Sequence, residues 1–146
     1  MSNNNVDQTQ QDVRLGLLLW FRLARFYNHS NRLSNQHLKK WGLTIAQFDL
    51  LAQVGAHQPI SQQELAEKLL VSKGNITQML AKMEKLDLIE RKQEWRIKRI
   101  SLTATGQQLF EEVLPVQEAF QAAQFQNLNQ QEKKLFLSIL KKLEDK

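Results

Sequence analysis

Between Ser61 and Leu86 the apolar positions fall at helical spacing in two short runs separated by a break. Leu65 and Leu69 lie one turn apart on one face of the first run. Ile76, Leu80 and Met83 do the same in the second, with Met79 and Leu86 at its edges. Val71-Ser72 interrupts the period, and Ser72 is a suitable cap for the second run. The pattern predicts two short helices joined by a tight turn. Ser61 and Glu64 have the spacing of a capping box at the first helix. The outer side of the second helix shows Lys73, Gly74, Asn75, Thr77, Gln78, Lys82 and Lys85. Asn and Gln can bond adenine edges, Thr a base or its methyl, and Lys a guanine or a phosphate. Taken alone, the pattern favours an ordinary helical hairpin with a solvated polar face.

The next stretch changes that balance. From Leu88 to Thr103, the apolar residues Ile89, Ile97, Ile100 and Leu102 bracket a polar segment holding Arg91, Lys92, Arg96, Lys98 and Arg99, five cations in nine residues. A two-stranded β-hairpin with a basic tip, directly after a recognition-type helix, is the wing of a winged helix-turn-helix, its cations set to straddle phosphates. The tip reads Lys92-Gln93-Glu94-Trp95-Arg96. Arg96 suits a narrow minor groove, and Glu94 is expected to orient it. Trp95 is expected to fold back over the wing base, because a large exposed indole is unfavourable in a free protein; resting on the sugar-phosphate edge of DNA is the alternative.

Elsewhere the period is helical. The polar first ten residues are expected to form a disordered arm. A first helix is predicted from about Gln11 to Lys40, with Gly42 after its end. Val13, Leu17, Trp20, Phe21 and Ala24 mark one stripe, and Leu15, Leu18, Leu19, Leu23 and Phe26 widen it beyond what one side of a small domain covers. Thr44 and Gln47 repeat the capping-box spacing before a helix with Phe48, Leu51 and Val54 inside. His57-Gln58-Pro59 is a loop, and Ile60 is placed to staple against Leu65. A short strand near Ile60 has only slight support. Thr103 is expected to cap a long helix that Pro115 kinks or divides. Asn129 and Glu132 start a last helix striped by Leu135, Phe136, Ile139, Leu140 and Leu143. The fold class is mainly α (α+β), a single domain over 1–146. Within it, 1–10 form the arm, 43–103 the winged helix-turn-helix, and 11–42 with 104–146 a helical dimerisation lobe.

Three segments in this order resemble the MarR family of bacterial transcriptional regulators: LTIAQFDLLAQV (43–54), SQQELAEKLLVSKGNITQMLAKMEKLDLIER (61–91) and RISLTATGQQL (99–109). The resemblance covers about residues 15 to 146. It implies a homodimeric regulator of double-stranded DNA, mostly a repressor on an inverted repeat, often relieved by a small phenolic or aromatic effector bound between the lobes. Two departures stand out. Asp87 replaces a frequent glycine before the wing, and Glu94-Trp95-Arg96 replaces Asp-Arg-Arg at a shortened tip. Trp20, Phe21 and Phe48 suit an effector pocket only as far as any aromatic does, and core is the simpler reading; no ligand residues are assigned.

Composition narrows the chemistry. The 146 residues carry a formal charge of +5, are 42% hydrophobic and include no cysteine. That excludes disulfides, thiolate nucleophiles and Cys-ligated zinc, and is consistent with a cytoplasmic protein. No apolar run approaches the ~20 residues of a membrane span, so no membrane partner is expected. His29, His37 and His57 are scattered, with solvated surface positions the simpler reading, and no metal or cofactor is expected. No phosphate loop or nucleophile elbow occurs, so an enzyme is not expected. The expected DNA contacts are Ser61, Gln62, Ser72, Lys73, Gly74, Asn75, Thr77, Gln78, Lys82, Arg91, Lys92, Arg96, Lys98 and Arg99. The rival reading is a winged helix used for protein assembly, which needs no basic wing.

Overall fold

Stripes of apolar residues set at helical and strand spacing become six helices and three short strands in the computed structural model, which describes residues 2–144. The chain divides into two units, residues 1–33 and 34–146.

Among its described residues the first unit is helical throughout, as the larger part of α1 (Ser2–Leu38). The expected disordered arm is therefore corrected from residue 2 onward; residue 1 lies outside the described residues. Nucleation is the costly step of helix formation, and extension adds one bond for each residue fixed. The apolar segment beyond Gln11 nucleates, and the polar residues before it extend the same ladder, with the Thr9 hydroxyl donating to the Asn5 carbonyl at 2.9 Å. Leu15, Leu17, Leu18, Leu19, Trp20 and Phe21 all stand exposed, Trp20 at 69%.

The second unit holds the core. A 3-10 turn (Lys39–Trp41) ends at Gly42, whose φ of 68° is the left-handed cap conformation that glycine adopts without penalty. Helix α2 (Ile45–His57) opens with the full reciprocal capping box between Thr44 and Gln47. It buries Phe48, Leu51 and Val54, and also Leu50. Strand β1 (Ile60–Ser61) leads into α3 (Gln62–Leu69), and α4 (Lys73–Lys85) comes after the turn. Strands β2 (Ile89–Glu94) and β3 (Ile97–Leu102) form the wing, and β1 joins the far side of β3, giving an antiparallel sheet ordered β1-β3-β2. The weakly supported strand is thus real, because Ile60 and Ser61 find Ile100 and Arg99 opposite them. Ile60, Leu65, Ile76, Leu80, Met83, Ile89, Ile100 and Leu102 close one apolar cluster with the inner face of α2.

Helix α5 (Ala104–Ala123) runs unbroken through Pro115, so that residue does not divide it. Proline removes one ladder bond, but the remaining ladder of a 20-residue helix carries it past the gap. Helix α6 (Gln130–Glu144) starts from a reciprocal box in which Asn129 N–H donates to Glu132 at 3.0 Å and Glu132 N–H to Asn129 at 2.8 Å. None of its described residues is buried, and Leu135, Leu137, Ile139 and Leu143 are exposed. Residues 145 and 146 lie outside the described residues.

One junction sets the wing relative to α4. Asp87, at φ 58°, reverses the chain after α4, which accounts for glycine being usual there in the resembling family. The Thr103 hydroxyl donates to the Asp87 carbonyl at 2.6 Å and accepts the Gly106 N–H at 2.9 Å, while Thr103 N–H reaches the Leu88 carbonyl at 3.1 Å. A Cβ on Gly106 would collide with that same Leu88 carbonyl oxygen. The glycine of the Thr-x-x-Gly segment is therefore required by close approach and not by its dihedral angles. Gly106→Ala gains about 1 kcal/mol of helix propensity but pushes a methyl into backbone that cannot swing aside, and overpacking of this kind costs about 1–3 kcal/mol. The collision is with fixed backbone, so we expect a net loss of stability, read as a lower urea midpoint at unchanged slope. An equal or higher midpoint would show that α5 can shift away from Leu88.

Candidate nucleic-acid interface

Helix α4 presents its predicted polar side to solvent. Lys73, Gly74, Asn75, Thr77, Gln78 and Lys82 are all exposed, opposite the buried Ile76, Leu80 and Met83. The Ser72 hydroxyl accepts the Asn75 N–H at 3.2 Å, which leaves its own hydrogen free. The first amides of α4 point outward at the positive end of the helix dipole, an arrangement suited to a phosphate.

Helix α3 is tied to this surface. Ser61 accepts the Glu64 N–H at 3.1 Å, but the return bond from the Glu64 side chain is absent, so only half of the expected capping box forms. Ser61 is at the same time a strand residue opposite Arg99. Gln62 does not stand free for DNA. Its Nε2 donates to Thr77 Oγ1 at 3.0 Å, and that hydroxyl donates onward to the Lys73 carbonyl at 2.9 Å. Gln62 Oε1 is sealed from solvent without a partner. A hydroxyl has one donor and two acceptor positions, so Thr77 keeps one lone pair and its methyl for any base.

The wing divides its cations into two groups. Arg91, half-buried, pairs with Glu84 of α4, locking the strand to the helix. Arg99 Nε lies 3.3 Å from Glu94. The expected pairing of Glu94 with Arg96 is thereby corrected, and register is the reason. Lys92 and Glu94 are opposite Arg99 and Ile97, which puts Glu94 on the same ribbon face as Arg99 and diagonal to it, whereas Arg96 sits in the turn. Lys92, Arg96 and Lys98 remain exposed, and no intramolecular ion pair involves them among the described residues.

Trp95 corrects a second expectation. It does not fold back over the wing base; it is 97% exposed. The hairpin turn has only two residues, Trp95 and Arg96, between the paired Glu94 and Ile97. Its first position takes φ 58°, a region normally left to Gly, Asn or Asp and worth roughly 1–2 kcal/mol of strain for a larger side chain. The turn directs the indole off the tip.

The ends of these elements converge. Ser61, Gln62, Lys73, Thr77, Arg96, Lys98 and Arg99 line one open groove between the start of α3, the start of α4 and the wing. Sequence reasoning missed that Gln63, Glu64, Glu67 and Ile97 share this lining. Their positions depend on how the three elements meet, which no local spacing reports.

The histidines give a further correction. His37 is not a solvated surface residue. Its Nδ1 lies 2.8 Å from Oε1 of the fully buried Gln117, and its ring stacks on Phe120 at 4.2 Å and meets Trp41 edge-on at 5.3 Å. Of the three aromatics considered for an effector pocket, Phe48 is core, while Trp20 and Phe21 are exposed. No helix among the described residues is long and apolar enough to cross a membrane.

This architecture, a helix-turn-helix braced by a three-stranded sheet with a basic wing, defines a winged-helix regulator. The sequence pattern of the MarR family matches residues 43–99. The chain is 47% identical over 134 residues to an HTH-type transcriptional regulator of Bacillus cereus, covering 91% of each. It is 30% identical over 131 residues to the HTH-type transcriptional repressor MdtR of Bacillus subtilis, covering 88% of this chain and 81% of that one. A mutant MarR from E. coli, solved in complex with operator DNA, superposes with a TM-score of 0.79 at 26% identity, covering 86% of this chain and 92% of that chain. The chain belongs to the MarR family and is a transcriptional regulator, not an enzyme.

The Thr77 contacts generate a structural prediction. Thr77→Val keeps shape and methyl but removes the hydroxyl that accepts the Gln62 amide and donates a second bond to the Lys73 carbonyl. We expect a loss of about 0.5–1.5 kcal/mol in chemical denaturation, with Thr77→Ser close to the parent. Equal stability of the Val and parent proteins would show that the bridge between α3 and α4 contributes nothing.

Proposed function

We propose that this regulator is a homodimeric repressor that binds an inverted-repeat operator in a sequence-specific manner. Each protomer lays α4 into a major groove, and each wing flanks it with Lys92, Arg96 and Lys98. The observation that carries this reading is the shared groove, where the exposed start of α4 meets a wing whose three cations have no ion-pair partner among the described residues. Asn75 and Gln78 read base edges, because their amides are exposed and can engage adenine bidentately. Ser61, Ser72, Lys73 and the wing cations meet phosphates and set the register. Gly74 lets the backbone approach closely, and Lys82 reaches along the groove. Gln62 holds Thr77 in place, Arg91 braces the wing through Glu84, and Arg99 exchanges Glu94 for phosphate at little cost, since an exposed ion pair is worth ~0–1 kcal/mol.

A second copy of this chain is the partner for the exposed apolar faces of α1 and α6, because contiguous apolar surface of that extent marks an interface. Two-fold symmetry then places half-sites roughly one helical turn apart. Repression is supported by the relationship to MdtR, named a repressor. Family resemblance adds release by a small aromatic or phenolic effector, to which no residue of this chain is assigned.

Light scattering at micromolar concentration should give twice the 17.1 kDa of one chain. A clean monomer that still bound an inverted repeat tightly would sink the dimer reading. On the operator selected from random duplexes, Gln78→Ala should lose ~1–3 kcal/mol and relax base preference at one position in each half-site. Lys92→Ala should weaken all sequences about equally. An unchanged ratio of operator to scrambled binding in Gln78→Ala would remove that residue from the reading face. Binding that is insensitive to salt would instead favour a protein-assembly module.

A further inference from the structure

Trp95 is the residue the proposed recognition scheme does not absorb. It sits at the very end of the wing, 97% exposed and at φ 58°. The positive φ costs folding stability, and strained backbone of this kind clusters at functional positions. Its surroundings are cationic. Arg96 is next to it in the turn, Lys92 and Lys98 flank it on the two strands, and the nearby Glu94 carboxylate is held by Arg99 at 3.3 Å. Arg96 also lines the same groove as Lys73 and Thr77 of α4. Whatever α4 touches is therefore within the wing's neighbourhood.

We propose that Trp95 is a specificity-determining contact to the minor groove beside each half-site, with its indole laid against sugars and a partly opened base step. The inference rests on the DNA-binding reading above. Cations draw the tip to phosphates; the indole supplies what they cannot. Apolar wedges in minor grooves part a base step and bend the duplex. The step that parts most easily is pyrimidine–purine, whereas A-tracts are stiff and narrow. An arginine alone is attracted to a narrow groove. An indole is wide and uncharged and selects a groove that yields. The flank beneath the wing is thus read by deformability, without a hydrogen bond to any base.

The test uses the full-length chain and two duplexes with the same selected operator core. One carries TA steps and the other an A-tract where the wing tips fall. Trp95→Gly is the informative variant, because glycine adopts the positive φ freely and the hairpin keeps its turn. Trp95→Phe retains an aromatic ring. The parent should prefer the TA duplex about tenfold, Trp95→Gly should bind both alike, and Trp95→Phe should fall between them. The slope of affinity against salt should be unchanged in Trp95→Gly and shallower by about one in Arg96→Ala. In a Trp20→Phe, Trp41→Phe background, the remaining indole should shift its emission on the TA duplex. A parent that binds the operator with no preference between flanks, or a Trp95→Gly that matches the parent on both, overturns the inference and leaves DNA binding standing. A parent that binds no duplex at all overturns both.

Discussion

The Thr103 hydroxyl holds three elements at one point. It closes onto the Asp87 carbonyl at 2.6 Å, where α4 hands over to the wing, and it caps α5 by accepting the Gly106 N–H. The Leu88 carbonyl accepts Thr103 N–H at 3.1 Å from the other side. Helix α5 fits under Leu88 because Gly106 has no Cβ, and filling that space would loosen both ends of the hairpin together. A wing is useful only if its tip stands at a fixed place relative to α4. This junction fixes the hairpin's root, and the Arg91–Glu84 pair holds it again further along, where Arg91 faces Ile100. The rest of the groove is then set, because β3 carries Lys98 and Arg99 and pairs with Ser61 at the start of α3.

On that frame the charges separate by task. A half-buried arginine against a glutamate acts as a brace, since breaking such a pair strands a charge in a partly dry site. Fully exposed lysines and arginines contribute little to folding and repel one another at short range. Their free energy is recovered only when a polyanion approaches and counterions are released. Arg91 is of the first kind, and Lys92, Arg96 and Lys98 are of the second. Counting basic residues along the sequence does not separate them; position across the ribbon does.

Much of the fold is legible from local spacing. Caps are three-residue relationships, so Thr44–Gln47, Ser72, Thr103 and Asn129–Glu132 can be read from the chain and are present. The inward Ile76, Leu80 and Met83 come from helical period alone. The failures need distance or register. Glu94 selects Arg99 over Arg96 because strand pairing decides which residues are diagonal neighbours. His37 meets Gln117 across 80 residues of chain, and no periodicity couples them. Burial arguments set Trp95 against the body, but a two-residue turn leaves its side chain no path back. The residues before Gln11 look disordered by composition, yet they extend a helix that is already nucleated.

Backbone strain in the described residues is gathered in turns. All three non-glycine residues with positive φ among the described residues, Leu70, Asp87 and Trp95, lie in the turn of the helix-turn-helix, at the wing's root and at its tip. Gln62 beside the groove and Gln117 beside His37 each add a sealed polar atom without a partner. Each such feature is worth one to a few kcal/mol, by order of magnitude, against folding. The apolar cluster under α2, α3 and α4 works against them. Local rules are broken most often where function requires it, and the rest of the fold compensates. Crowding of Lys92, Arg96 and Lys98 is relieved whenever a polyanion approaches. A ligand that binds only the folded form stabilises it in proportion to the logarithm of its concentration. A duplex that binds only the folded winged lobe is therefore expected to stabilise it.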